Sequence, residues 1–430
     1  MDSDLNSYIL RTCEMLRYLF TRARFAARPL AVMIFAAISA CFHGPVARAQ
    51  SDIPDIAALD AVENRLIEHY HMREGDVAMR DLPAWAPIKK IVVRDIYGPG
   101  SLGTTEARLD WISKVAPGVE FVAVDTLQEA IDAGHMLGAQ AVIGIGCSPA
   151  LIFALGPETH WTQSSSSGVS GCFYSSGEDS IRAHEMMLER GTVLTNQRGV
   201  NSIAISEHAL SLMLALIQGV DIHIRRQDQE VWGRTFTDEV KDPNIDWELD
   251  GRTLLIAGLG TIGTEIGKRA HALGMRVIAT RNSSRTGPDF VDYVGLAHEL
   301  DELAVQADVV LAQLPLTAET VGIFDARFFD IMKPSAYFIN MGRGRHVITD
   351  DLVAALRDGK IAGAALEALE PEPLPPGHPL WKMPRVIITP HVSDYSDKHE
   401  DTVWDLYREN LRRYIAGDKL LNVIDMEKGY

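Results

Sequence analysis

Positive charge is in short supply: 41 Lys and Arg stand against 58 Asp and Glu in 430 residues, a formal net charge of −17. A nucleic-acid binder needs a basic face to displace counterions from phosphates, so no nucleic-acid partner is expected. An acidic protein that takes an anionic ligand does so through local arginines, which points the search to Arg in Gly-rich stretches. Cysteine is scarce as well, and Cys13, Cys41, Cys147 and Cys172 have neither metal-ligand spacing nor a disulfide framework. Free structural thiols are the favoured expectation for Cys147 and Cys172, with one bridge open to them in an oxidising compartment, and no metal centre is expected. Long apolar runs are missing too. The run Pro29–Phe42 has 14 residues, too few to cross a bilayer comfortably, so no stable membrane span is expected.

What that run does resemble is the core of a secretory signal. Arg22, Arg24 and Arg28 precede it, and Ala47-Arg48-Ala49-Gln50 follows, which predicts cleavage after Ala49 and an exported, periplasmic protein. Three alternatives stand beside this: lipoprotein-type processing at Cys41, a start near Met15 that would explain the long stretch before the apolar run, and a misassigned start that would leave the protein cytoplasmic. Residues 1–49 carry six Lys and Arg against three Asp and Glu, so the remainder is more acidic still. Residues 50–85 form an extension in which Ile56, Leu59, Val62, Leu66 and Ile67 recur at helical spacing.

From Lys90 onward strand-like and helix-like stretches alternate, the rhythm of parallel sheets wrapped by helices. Strands are predicted at Ile91–Val93, Phe121–Val124, Ala141–Ile145, Trp161 and Val193–Leu194. One long helix is predicted over Ala204–Ile224, then a polar connector over Thr235–Asp250. Six further strands follow at Thr253–Ala257, Arg276–Ala279, Val309–Ala312, Ala336–Ile339, Ile361–Leu366 and Val386–Ile388, and a last helix at Asp397–Ile415 is expected to return to the first unit.

Directly after the first strand of the second unit stands Gly258-Leu259-Gly260-Thr261-Ile262-Gly263, a G-x-G-x-x-G at a strand–turn–helix junction. Gly258 permits the turn, Gly260 lets backbone approach a pyrophosphate, Gly263 lets helix and strand pack, and the helix N-terminus receives the anion. Without the strand and helix around it such a run is a Gly-rich turn; in this context it predicts dinucleotide binding. The next strand ends in Arg281-Asn282, where an NAD enzyme usually offers a carboxylate to the ribose. Arg281, with Asn282, Ser283 and Arg285 as further donors, fits a 2′-phosphate, so NADP is favoured over NAD; a solvated loop arginine would leave the choice open.

Asn340-Met341-Gly342-Arg343-Gly344 sets an arginine between glycines at another strand end, suited to hold a carboxylate and polarise a carbonyl. Further on come Glu372, in a Pro-rich loop, and Thr389-Pro390-His391. Hydride transfer to a carbonyl needs a proton donor, and a carboxylate beside a histidine fixes its tautomer and favours its proton-carrying form. Each residue alone would more often be a turn arginine, a solvated acid or a core histidine.

Together these segments, with Gln163–Val169, Gly199-Val200-Asn201, Ser206–Ala209, Leu314-Pro315-Leu316-Thr317 and His378–Trp381, resemble in order and spacing the D-isomer-specific 2-hydroxyacid dehydrogenases. The resemblance implies Arg343 on the substrate carboxylate and carbonyl, Glu372 supporting the histidine, and His391 as general acid/base. It implies that backbone amides near Ser167 and Gly168 grip the carboxylate, and that Thr261, Ile262, Leu314, Pro315, Thr317, Met341, Gly342, Glu367 and Ser393 lie along the cofactor. Glu367 stands where the family usually has Asp, at a position expected to face the nicotinamide carboxamide. Arg345 and His346 replace small or apolar residues, and residues 50–85 have no obvious counterpart.

The fold expected is α/β with two doubly wound domains. A flavodoxin-like substrate domain spans 86–200 and is completed by 393–430; a Rossmann NAD(P)-binding domain spans 201–392. The activity expected is hydride transfer between NAD(P)H and a small 2-oxo or D-2-hydroxy acid such as glyoxylate or hydroxypyruvate. Its rivals are a dehydrogenase of another small oxyanion such as phosphite, and an NAD(P)-binding sensor without turnover. The resemblance also implies a homodimer, to which the Ala204–Ile224 helix and Trp232 would contribute.

Overall fold

The computed structural model describes residues 59–83, 85–94, 104–173, 177–232, 248–282 and 284–427. The predicted signal segment, the first residues of the extension, Ser283 and most of the Thr235–Asp250 connector lie outside them.

Two all-parallel sheets carry the chain. The first has the order β2-β1-β3-β4-β5, with β1 Lys90–Arg94, β2 Glu120–Val124, β3 Ala141–Ile143, β4 Trp161–Gln163 and β5 Val193–Thr195. That is the flavodoxin-like order. The second has the order β12-β11-β10-β9-β6-β7-β8, with β6 Thr253–Ala257, β7 Arg276–Arg281, β8 Tyr293–Leu296, β9 Val309–Ala312, β10 Tyr337–Asn340, β11 Gly363–Leu366 and β12 Val386–Ile388. Its strands β6, β9, β10 and β11 are buried throughout, as expected where helices cover both faces. The strand order reverses between β6 and β9, so the glycine loop after β6 and the Gln313-Leu314-Pro315 loop after β9 flank the crevice where such sheets bind ligands.

Three expectations are corrected. The second sheet has seven strands, not six: β8 has only two buried residues and follows a polar stretch, which hides its pattern. The Ala204–Ile224 helix is two helices, Ser202–Ile217 and Val220–Asp228, bent by 73°. Gly219, left-handed at φ 63°, breaks it. The first of the pair buries Ala209, Leu212, Met213, Leu216 and Ile217 against Leu254, Ile256 and Ile339 of the second sheet. Among the described residues no single helix is long and apolar enough to cross a membrane. Finally, Cys147 and Cys172 are not free thiols but a disulfide, with Cα atoms 5.5 Å apart.

The extension's Leu59–Asn64 helix and the following turn bury Val62 and Leu66 with Trp404, Tyr407, Leu411 and Tyr414 of the last helix, His399–Ala416. That helix lies on the first sheet, where Trp161 stacks on Tyr414 at 5.7 Å between ring centres. Its buried Arg413 donates to Glu409 at 2.6 Å, Glu63 at 2.7 Å and Glu74 at 2.6 Å, tying the extension down through charge-assisted bonds.

Candidate active site

The glycine loop has the shape a dinucleotide requires. A Cβ on Gly258 would stand 2.4 Å from Gln313 O, and one on Gly263 would stand 2.5 Å from Gly258 O, so both positions exclude any side chain. Above Gly260 the nearest group is Arg198 Nη2, 3.9 Å from the Cβ position, which leaves backbone open to a pyrophosphate. The helix Thr261–Ala272 begins there, and its first-turn N–H groups, from Thr261, Ile262 and Gly263, have no intrahelical acceptor. Leu314, Pro315 and Thr317 line the facing loop, which Thr320 braces by accepting the Thr317 N–H at 2.8 Å and donating to Pro315 O at 2.7 Å. These residues fit the cofactor.

Ser164–Gly168 follows β4 and is held by its carbonyls. Asn196 Nδ2 donates to Ser167 O at 2.7 Å, Gln197 N–H to Ser166 O at 3.2 Å, and the Ser167 hydroxyl to Gln197 O at 2.9 Å. The N–H groups of Ser167 and Gly168 have no acceptor among the described residues. Arg343 reaches this loop from the other sheet. Its Nη2 lies 2.7 Å from where Gly168 would carry a Cβ, so the glycine leaves room for the guanidinium. Burial pushes the Arg343 pKa below the usual arginine value, against the nearby charges of Glu372 and Asp394.

Three groups shape the arginine loop. Asn340, at the end of β10, donates to Ala368 O at 2.9 Å and Arg343 O at 3.1 Å and accepts the Gly342 N–H at 3.1 Å. Gly344 passes so close to Leu369 that a Cβ would stand 1.8 Å from its carbonyl oxygen. The buried His346 accepts the Arg343 N–H at Nδ1, 3.1 Å, and its Nε2 lies 3.3 Å from Pro315 O, which makes Nε2 the donor. Burial, with the Arg343 charge adding, pushes the His346 pKa down to about 4 against the hydrogen bond to Pro315. Neutral His346 therefore ties the substrate arginine to the cofactor loop.

His391 follows β12, and its Nδ1 lies 2.8 Å from Glu372 Oε1. Both side chains are partly open to solvent. The pair leaves Nε2 as the ring nitrogen available to a substrate, as proton donation requires.

The chain is similar to known proteins. Residues 210–393 match the model for the D-isomer specific 2-hydroxyacid dehydrogenase NAD-binding domain. A glyoxylate/hydroxypyruvate reductase A of Citrobacter koseri is 30% identical over 59% of this chain and 79% of its own length. A glyoxylate reductase of Thermofilum pendens is 34% identical over 57% of the chain and 71% of its own. A 2-hydroxyacid dehydrogenase family structure from Aeromonas salmonicida, 28% identical, superposes with a TM-score of 0.62 over 79% of this chain and all of its own.

The chain belongs to the D-isomer-specific 2-hydroxyacid dehydrogenase family. It is an NAD(P)-dependent oxidoreductase acting on CH–OH donors.

Two expectations about this dehydrogenase change with the structure. Glu367 is not an open ligand for the nicotinamide. It is buried, its Oε1 accepts the Ser393 N–H at 2.6 Å, and its Oε2 accepts from Thr389 and lies 3.3 Å from His208 Nε2. Burial pushes the Glu367 carboxyl up, but the hydrogen bonds from Thr389 and Ser393 and the His208 charge outweigh it and hold the pKa below the carboxylate norm. Arg285, expected beside the ribose, instead pairs with Glu299 at 2.8 Å and Tyr293 at 3.0 Å. Arg281 stays at the end of β7, its Nε–H donating to Leu259 O at 2.9 Å, with Asn282 next to it. Met341 is buried behind the arginine loop, its N–H on Ala312 O at 3.0 Å. Asn196, Asn340 and His346 escaped the sequence reading. The first two are ordinary polar residues in strand-end runs, whereas His346 was visible as a departure without a role.

Proposed function

We propose that this dehydrogenase reduces a small 2-oxo acid of the glyoxylate or hydroxypyruvate type, using NADPH, to the D-2-hydroxy acid. The observation that carries the reading is the approach of Arg343 to the Ser167–Gly168 loop of the other sheet, with the Glu372 partner of His391 close enough for its charge to act on Arg343. The relatives named glyoxylate reductase and glyoxylate/hydroxypyruvate reductase support the substrate class.

The amides of Ser167 and Gly168 and the Arg343 guanidinium bind the carboxylate, and Arg343 also polarises the 2-oxo group. Bound NADPH supplies the hydride that adds to the carbonyl carbon. His391 gives the Nε2 proton to the carbonyl oxygen as it becomes an alcohol, while Glu372 holds Nδ1 and the ring plane. His346 and Asn340 keep Arg343 in register with the cofactor loop.

The choice of NADPH rests on Arg281, which stands where a carboxylate would serve NAD. Export rests on the N-terminal segment and is supported by the Cys147–Cys172 bridge, since disulfides persist in oxidising compartments. A homodimer is favoured by family likeness and by the exposed Val220, Ile224, Val231 and Trp232.

Oxidation of NADPH and NADH by the purified chain, with a panel of 2-oxo acids and with His391→Ala beside it, tests the activity. Turnover lost in the variant supports the reading. Phosphite-dependent NADP reduction on a silent panel would replace it with the oxyanion dehydrogenase, and tight cofactor binding without any turnover would leave the sensor.

A further inference from the structure

The family model covers residues 210–393, so the extension takes no part in that match, yet it reaches the cofactor loop. Residues 73–75 run antiparallel to 420–422. Asn422 N–H donates to Arg73 O at 2.7 Å, Arg73 N–H to Asn422 Oδ1 at 3.3 Å, and Gly75 N–H to Leu420 O at 2.8 Å, with Glu74 bridged to Leu421. Neighbouring side chains on such a ladder point to opposite sides. Glu74 turns to the buried Arg413, 2.6 Å away, so Arg73 is delivered to the other side. There it is exposed, and its guanidinium has no hydrogen-bond or carboxylate partner among the described residues.

That other side is the dinucleotide loop. Two residues before Arg73, His71 Nε2 lies 2.9 Å from Glu265 Oε1, on the helix that follows the glycines. Asn422 Nδ2 donates to Arg198 O at 2.7 Å, and the Arg198 side chain is the group nearest the Gly260 Cβ position. Arg281 uses its Nε–H on Leu259 O, and its pKa is pushed down first by burial and then by the nearby Arg73 charge. Two guanidiniums whose charges act on one another, with no carboxylate paired to either among the described residues, form a site that awaits a dianion.

We propose that Arg73 is a cofactor-specificity residue: the extension carries it to the Rossmann domain so that it and Arg281 together hold the 2′-phosphate of NADP. The inference rests on the NADPH reading above and adds to it a contribution from outside the nucleotide domain. Because Arg73 is fixed by its backbone, truncating its side chain leaves the ladder, the Glu74–Arg413 pair and the His71–Glu265 contact in place.

The test is equilibrium titration of NADPH and of NADH into the full chain, followed by fluorescence, for wild type, Arg73→Ala, Arg73→Lys and Arg281→Ala. A charge-assisted contact to phosphate predicts an NADPH Kd raised about tenfold in Arg73→Ala. The NADH Kd stays unchanged, and Arg73→Lys recovers part of the loss. Equal weakening of both cofactors would place Arg73 on the pyrophosphate and overturn the proposal. No change in Arg73→Ala, with NADPH preference lost in Arg281→Ala, would overturn the role of Arg73 and leave the NADPH reading standing. An unchanged NADPH to NADH ratio in Arg281→Ala would overturn both.

Discussion

Glu367 accepts the backbone N–H of Ser393 at 2.6 Å from beneath the loop that carries His391. Its second oxygen takes the Thr389 hydroxyl, so one buried carboxylate grips the chain two residues to either side of the proposed acid.

Replacing Glu367 by Ala strands those donors. Stability should fall by about 2–3 kcal/mol, the cost of leaving buried partners of a charged acceptor unpaired. The kcat should drop as well, because His391 loses its support. Thermal melting and steady-state kinetics check this, and Glu367→Gln, which keeps one acceptor, should lose less of both.

His391→Ala should lower kcat by roughly 10²–10⁴, the usual worth of a positioned proton donor, with cofactor binding preserved. Glu372→Gln should reduce kcat less, since the amide still accepts at Nδ1 but carries no charge to balance the imidazolium. A titration of NADPH beside the kinetics separates lost chemistry from lost binding.

The depressed pKa of His346 makes stability depend on pH. Between its ordinary value of 6.5 and its folded value of about 4, the unfolded chain binds a proton that the folded chain refuses. Stability therefore rises with pH across that window and is lost as pH falls through it, by at most roughly 3 kcal/mol from this one residue. His160 and His399, whose pKa values burial also lowers, act in the same direction. Denaturation curves from pH 7 to pH 4 should be flatter for His346→Leu than for wild type. That variant should also raise the KM for the 2-oxo acid, because the Arg343 backbone N–H loses the imidazole that accepts it.

The disulfide closes a span of 25 residues around β4 and the serine loop. Reduction, or Cys172→Ser, should cost on the order of 3 kcal/mol by loosening the unfolded chain. Gly171 packs so tightly on Cys147 that a Cβ there would stand 2.7 Å from the Cys147 carbonyl oxygen. The KM should therefore rise along with the loss of stability. Melting with and without a thiol reductant reads the first effect, and substrate titration reads the second.

The second domain was legible because its signals are local. An apolar strand, three glycines and a helix adjoin one another in Leu254–Leu273, and Arg343, Glu372 and His391 each stand in a short run of distinctive residues. Strand β8 was hidden by its shortness and its exposed first residue, and the break at Gly219 by apolar spacing that continues across it. Cys147 with Cys172, and Arg73 with Arg281, are relations between segments 25 and more than 200 residues apart. No window on the sequence shows them. Cys147 meets Cys172 only once the chain has turned back after β4, and Arg73 nears Arg281 only once the C-terminal segment and the extension lie side by side.

That arrangement bears on where the protein can be cut. Cutting the chain before β1 would remove Glu63 and Glu74 from Arg413, whose side chain is buried, and would strip the antiparallel partner from residues 420–422. A shortened dehydrogenase would then bury a cation with Glu409 as its one carboxylate among the described residues, beside the Lys419 carbonyl, and present bare backbone at a sheet margin, where chains associate. Its expected fate is precipitation rather than a tidy minimal enzyme, which makes the extension a structural organ of the first domain as much as a leader into it.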